Sequence, residues 1–89
     1  MIATIEISMY PLTDTYKQKV IDFILRVKKH KNIRVEVVGL STQLVAEYDL
    51  LMEVLKNEMR YDFENGKAVF LLKIVGVDIT KETLPAELM

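Results

Sequence analysis

Cysteine is absent from the 89-residue sequence, which excludes disulfides and thiolate chemistry. Histidine occurs once, at His30, and a single imidazole without thiolates is too small a ligand set for zinc or another soft metal. The three glycines form no phosphate-binding loop. The longest uninterrupted apolar run, residues 68–72, is too short to cross a bilayer. We therefore expect no metal, no cofactor and no membrane insertion.

The charge balance is nearly neutral, with a formal net charge of −1. General nucleic-acid binders usually carry a basic excess, so we expect no nucleic-acid partner. The basic residues in the stretch 26–34 could contact phosphates, but such a run is more typical of the solvated end of a helix. The first residues lack a basic region and a cleavage site, so no signal peptide is predicted, and a soluble, cytoplasmic protein is expected.

The N-terminal third predicts a strand followed by a helix. Residues 2–10 alternate, and one face carries Ala3, Ile5, Ile7 and Met9 while the other carries Thr4, Glu6, Ser8 and Tyr10. Pro11 ends the strand, and Thr13 is predicted to cap the helix with Asp14 in its first turn. An apolar stripe follows at helical spacing: Tyr16, Val20, Phe23, Ile24 and Val27. Asn32 is predicted to form the left-handed exit.

The rest of the sequence predicts two strands, a helix and a final strand. The second strand begins at Ile33, residues 39–42 form a hairpin connection, and a short third strand follows. A second helix begins at Glu47, and its apolar stripe consists of Leu51, Val54, Leu55 and Met59. Residues 64–67 form a turn before the fourth strand at 68–75.

The element order βαββαβ predicts one α+β domain over residues 1–89 with a ferredoxin-like fold. Two helices would cover one face of a four-stranded antiparallel sheet, with the first and third strands central. Residues 76–89 would form a short C-terminal tail.

The fourth strand is apolar on both faces, which an edge strand exposed to water would not be. Val69, Leu71 and Val75 face away from the predicted helices, and Lys73 is the only interruption. Either the tail folds back over this face, or another subunit covers it. A tail of this length covers only part of a sheet face, so we expect a homo-oligomer.

No pair of residues suggests catalysis. His30 lacks an adjacent nucleophile and orienting partner, and a solvated histidine at a helix end explains it. Glu47 and Asp49 could act as general acid and base, but their position at a helix start already accounts for them. A ferredoxin-like isomerase or phosphatase would need a base and a nucleophile, so we expect a protein that is not an enzyme.

Two motifs resemble the small thiamine-binding protein family, whose members bind thiamine or its hydroxymethylpyrimidine moiety. They are "SMYPL" at residues 8–12 and "STQLVAE" at residues 41–47, which leads into the second helix. The resemblance extends to about residue 75 and implies a ferredoxin-like fold, dimers or tetramers, and ligand binding without catalysis. One departure is Ala46, where the family often has glycine. A methyl group at this position would narrow the space in which the ligand and the backbone approach each other.

The resemblance implies that Ser8, Tyr10, Ser41, Thr42 and Glu47 contact the ligand. A flat aminopyrimidine can stack on a tyrosine ring, and a thiazolium cation would favour an acid such as Glu6 or Glu47. Glu47 lies roughly 17 Å beyond Thr42 at strand rise, so it would act from a neighbouring subunit or only at the helix start.

Two functions remain open from the sequence. The first is a non-enzymatic carrier, buffer or sensor of thiamine or its pyrimidine precursor. The alternative is an oligomeric interaction or regulatory module without a small-molecule ligand, in which the polar strand face is part of a subunit interface.

Overall fold

The computed structural model describes residues 1–39, 41–83 and 85–88. The elements follow the predicted order, and the fold is a ferredoxin-like α+β sandwich. Their bounds are β1 Ile2–Pro11, α1 Tyr16–Lys28, β2 Arg34–Val38, β3 Ser41–Glu47, α2 Tyr48–Glu64 and β4 Ala68–Val75. Two short 3-10 helices, Ile79–Lys81 and Ala86–Leu88, follow in the tail.

The sheet has the order β2-β3-β1-β4 with every neighbouring pair antiparallel, so β1 and β3 are central as expected. Ile5 marks the middle of the sheet, because it is opposite Leu44 of β3 and Ile74 of β4. The period of two along β1 therefore sends its odd-numbered side chains towards the helices and its even-numbered side chains to the open face.

The core lies between the sheet and the two helices. Ile5 and Leu51 are fully buried, and Phe23 of α1 is 2% exposed. The remaining buried apolar side chains of this cluster are Ala3, Ile7, Val27, Leu44, Ala46, Val54 and Leu55. Apolar burial is the main favourable contribution to folding, so these side chains fix how the helices sit on the sheet.

Helix α1 begins later than the sequence predicted. Its first residue is Tyr16, with Thr15 at the N-cap position and no side-chain capping bond. Thr13 therefore does not cap the helix, and Asp14 lies before the first turn. Residues 12–15 instead form a bend and turn, in which the Leu12 backbone N–H bonds to the carbonyl of Lys67 at 2.8 Å.

The exit of α1 and the entry of α2 agree with the prediction. Asn32 has a positive φ of 67°, the left-handed conformation in which asparagine is favoured. Glu47 is the N-cap of α2, and its carboxylate accepts bonds from the backbone N–H groups of Asp49 at 2.7 Å and Leu50 at 3.2 Å. The β2–β3 connection is tighter than predicted, since Ser41 and Thr42 belong to β3 and Val38 is opposite Ser41. Leu40 lies outside the described residues.

A buried charge network joins the two helices. Asp62 of α2 is only 5% exposed, and its carboxylate bonds to the guanidinium of Arg26. Arg26 also donates to Glu58 at 2.9 Å, and the other oxygen of Glu58 lies 2.8 Å from His30 Nε2. Burial raises the pKa of Glu58, but the bonds from His30 and Arg26 outweigh it and leave that pKa below its usual value.

The tail crosses the open face of the sheet. Thr4 of β1 donates its hydroxyl to the carbonyl of Val77 at 2.8 Å and accepts from the N–H of Ile79 at 3.0 Å. Arg34 of β2 bonds to Asp78 at 3.1 Å and to Thr80 at 2.6 Å. The tail therefore covers one end of this face above β1 and β2, and it leaves Val69 and Leu71 of β4 exposed.

No helix within the described residues is long and apolar enough to span a membrane.

We predict that Arg26→Met destabilises the protein by about 2–4 kcal/mol, since removing one partner of a buried ion pair leaves the Asp62 carboxylate uncompensated. The matched control is Arg60→Met, which changes an exposed arginine of the same type on α2 and should alter stability by less than about 0.5 kcal/mol. Urea denaturation at neutral pH measures both. Equal effects of the two substitutions would contradict the network's role.

Candidate functional site

The open face of the sheet carries the polar row of β1. Glu6, Ser8 and Tyr10 follow one another along this face, and the register puts Lys73, Leu71 and Val69 of β4 opposite them. Glu6 is also opposite Gln43 of β3. The face is therefore polar along β1. Beside it, β4 presents two apolar side chains next to Lys73, and of these Leu71 is 61% exposed and Val69 is 50% exposed.

Strand β1 extends beyond its pairing with β3. The last β1–β3 pair is Ile7 with Thr42, whereas pairing with β4 continues to Pro11 and Ala68. Continued by one residue, the β1–β3 register brings Ser8 opposite Ser41, the first residue of β3. Beyond Ser8, β1 runs past the start of β3 towards Pro11.

This end of β1 borders a cavity of about 240 Å³, which we call the notch. It lies between residues 8–10 of β1 and the β2–β3 hairpin, and two side chains of α1, Val20 and Ile24, line it as well. Four of the predicted ligand-binding residues line the notch: Ser8, Tyr10, Ser41 and Thr42. The structure thus brings together residues that are more than 30 positions apart in the sequence.

The four residues approach the notch from different sides. Ser8 and Tyr10 belong to the open face, and Tyr10 is 52% exposed, which leaves its ring available for stacking. Thr42 is opposite Ile7 and faces the helices, where it is 8% exposed. Ser41 is on the open face and donates its hydroxyl to Glu6 at 3.3 Å. Glu6 therefore adjoins the notch through Ser41.

Glu47 lies at the opposite end of the sheet, since it is opposite Ile2. The backbone N–H groups of Leu50 and Asp49 hold the pKa of its carboxyl below the usual value, and the N-terminal ammonium lies 3.4 Å away. These contacts account for Glu47 as a helix cap. The nearby Ala46 is a core residue opposite Ala3 and does not line the notch, so its methyl group does not narrow that cavity.

Sequence reasoning missed the orienting partner of His30. Glu58 lies 28 residues away and contacts the imidazole, yet no nucleophile accompanies the pair among the contacts of the described residues. The same part of the chain contains no cluster of three or more histidine, aspartate or glutamate side chains that could hold a metal ion. Sequence reasoning also missed the shape of the notch, although β1 (10 residues) is longer than its neighbour β3 (7 residues).

Neither a family model nor a curated protein matches the sequence. Solved structures do match. A protein from Streptococcus pneumoniae is 24% identical with a TM-score of 0.74, covering 91% of this chain and 92% of that chain. A domain of unknown function, DUF77, from Bacillus cereus is 25% identical with a TM-score of 0.68, covering 94% of this chain and 84% of that chain.

A third similar structure is a "putative thiamine biosynthesis/salvage protein" from Thermotoga maritima. It is 21% identical with a TM-score of 0.70, covering 94% of this chain and 91% of that chain. At this identity the likeness establishes the shared fold. The Bacillus cereus DUF77 domain and this structure are thus similar to the present chain in fold.

We predict that Glu47→Ala lowers the melting temperature, because two backbone N–H groups at the start of α2 lose their acceptor. Glu47→Asp should retain most of the stability, since aspartate is a favoured N-cap residue. Thermal denaturation followed by circular dichroism measures both variants. A Glu47→Ala protein that melts like the parent would show that the cap is dispensable.

Proposed function

We propose that the protein binds a pyrimidine compound, either hydroxymethylpyrimidine or thiamine, without catalysis, and acts as a carrier, buffer or sensor. The observation that carries the proposal is the notch. It gathers Ser8, Tyr10, Ser41 and Thr42 beside one end of β1. Support for the ligand class comes from the "SMYPL" and "STQLVAE" motifs, and from the described role of the Thermotoga maritima neighbour.

The chemistry of the notch suits an aminopyrimidine. One edge of such a ring presents an amino donor beside a ring-nitrogen acceptor, so its site must offer both hydrogen-bond acceptors and donors. The hydroxyls of Ser8 and Thr42 can donate or accept as the ligand requires. The Tyr10 ring offers a face on which the flat heterocycle can stack.

The size of the notch favours a single ring. Pockets for drug-sized ligands occupy about 300–1,000 Å³, whereas the notch has about 240 Å³. Hydroxymethylpyrimidine is therefore the better match, and the second ring of thiamine would have to extend out of the notch over the open face. Glu6, which accepts a hydrogen bond from Ser41 of the notch, is an acid on that face.

The proposal is tested with the substitution Tyr10→Ala, and Tyr16→Ala is the matched control. The two tyrosines are equally accessible, 52% and 50% exposed, but only Tyr10 lines the notch. Loss of a stacked base costs about 1–3 kcal/mol, so Tyr10→Ala should weaken hydroxymethylpyrimidine binding by roughly tenfold or more. Tyr16→Ala should leave the affinity unchanged.

The measurement is calorimetric titration of each folded variant with hydroxymethylpyrimidine and, separately, with thiamine. Saturable binding that depends on Tyr10 supports the notch as the site. If the parent protein binds neither compound, the proposal is wrong. Equal losses in the two tyrosine variants would place the ligand elsewhere.

A second candidate function is that of an oligomeric interaction or regulatory module. The observation that favours it is the exposed apolar surface of β4, where Leu71 and Val69 lie on the open face beyond the reach of the tail. Contiguous exposed apolar side chains are typical of subunit interfaces. We therefore propose a homodimer or homotetramer assembled through this face, which is compatible with a ligand in the notch.

Leu71→Glu should dissociate such an assembly, because a carboxylate would be buried without a partner. Leu25→Glu is the matched control, since Leu25 of α1 is 51% exposed but belongs to the opposite layer. Light scattering at micromolar concentration measures the mass of each variant. A monomeric parent protein would rule out the assembly.

A further inference from the structure

The tail borders a second cavity on the open face, on the opposite side of Glu6 from the notch. Its volume is about 230 Å³. Residues of three strands and one tail residue line it. The residues that carry the argument are Thr4, Glu6, Gln43, Lys73, Val75 and Ile79. The two cavities share no lining residue, so this tail cavity is a separate site.

Hydrogen bonds from β1 and from β2 hold the tail segment that borders the tail cavity. Thr4, which is 4% exposed, bonds to the backbone on each side of Asp78 through its single hydroxyl. Asp78 accepts from Thr80 and from Arg34, and the Thr80 hydroxyl, followed by its N–H and by Arg34, lowers the pKa of Asp78. Ile79 is therefore positioned over the cavity before any ligand arrives, which reduces the ordering cost of binding.

Glu6 is the only acid among the residues lining the tail cavity. One of its oxygens accepts from Ser41, and the other lies 3.8 Å from the ammonium of Lys73. Lys73 is 88% exposed, and so exposed a pair at this distance contributes little. A cation that buries more apolar surface can replace the ammonium at Glu6.

The other residues that line the cavity determine which kind of cation it can bind. Val75 and Ile79 offer an apolar wall, and Gln43 adds an amide beside the carboxylate. Calcium or magnesium would require several oxygen ligands, which one carboxylate and an apolar wall do not supply. An anion would be repelled by Glu6. A cation whose charge is spread over an apolar body satisfies both parts of the cavity.

We propose that the tail cavity is a binding site for a small organic monocation, with the charge against Glu6 and the apolar body between Val75 and Ile79. Lys73, which is already largely in solvent, moves away from Glu6 when the ligand binds. The inference does not rest on pyrimidine binding in the notch, although a thiamine molecule that extends over the open face would direct its cationic ring towards Glu6.

The probe is 3,4-dimethylthiazolium, a flat monocation, and 4-methylthiazole is its uncharged counterpart. Methyl resonances of isoleucine are followed by NMR during titration. We expect a saturable shift of Ile79 with the cation and none with the neutral ring, while Ile5 in the core stays unmoved as a control for folding. No shift of Ile79 with the cation would overturn the inference.

Two charge variants test the role of Glu6. Glu6→Gln should weaken binding of the cation by roughly fivefold, the size of a partly exposed ion pair. Lys73→Gln should tighten it, because the competing ammonium is removed. An affinity that is the same in Glu6→Gln as in the parent, or weaker in Lys73→Gln, would contradict the proposal.

The two proposals fail in different ways. Binding of the thiazolium at Ile79 without any binding of hydroxymethylpyrimidine would refute only the notch. Binding of hydroxymethylpyrimidine that depends on Tyr10, with Ile79 unmoved by the thiazolium, would refute only the tail cavity.

Discussion

The register of β1 is the constraint on which the rest of the structure depends. This strand is paired on both sides, and Ile5 is opposite Leu44 and Ile74 at once. A slip of one residue would turn Ile5 towards water and bring Glu6 into the core. Because burial of Ile5 and its neighbours drives folding, the same alternation that forms the core fixes which side chains the open face presents.

The two cavities lie towards opposite ends of β1. Past Ser41, the first residue of β3, β1 continues beside β4 towards Pro11, and the notch lies at this end. At the other end, the tail crosses the face above Thr4 and borders the second cavity. Glu6 lies between the two, because it lines the tail cavity and accepts a hydrogen bond from Ser41 of the notch.

Local sequence patterns predicted the fold, because each helix and strand is marked by its own hydrophobic period or by a residue that caps it. The alternation of β1, the Asn32 exit and the Glu47 cap are all decided by residues close in sequence. The start of α1 was misplaced, because Thr13 has the chemistry of a cap but the chain bends before Tyr16. Contacts between distant elements left no local pattern: Arg26 with Asp62, His30 with Glu58, and Thr4 with the tail. For the same reason the sequence could predict the residues of the notch but not its shape.

The bond between Thr4 and Val77 joins residues 73 positions apart, and this separation affects how the protein is made. During synthesis, β3 and both helices are available to β1 before β4 leaves the ribosome. Until then the β4 side of β1 is an open strand edge, which can pair with another chain. Pairing of β4 with β1, together with the bond between Thr4 and Val77, removes this edge once residues 68–77 emerge.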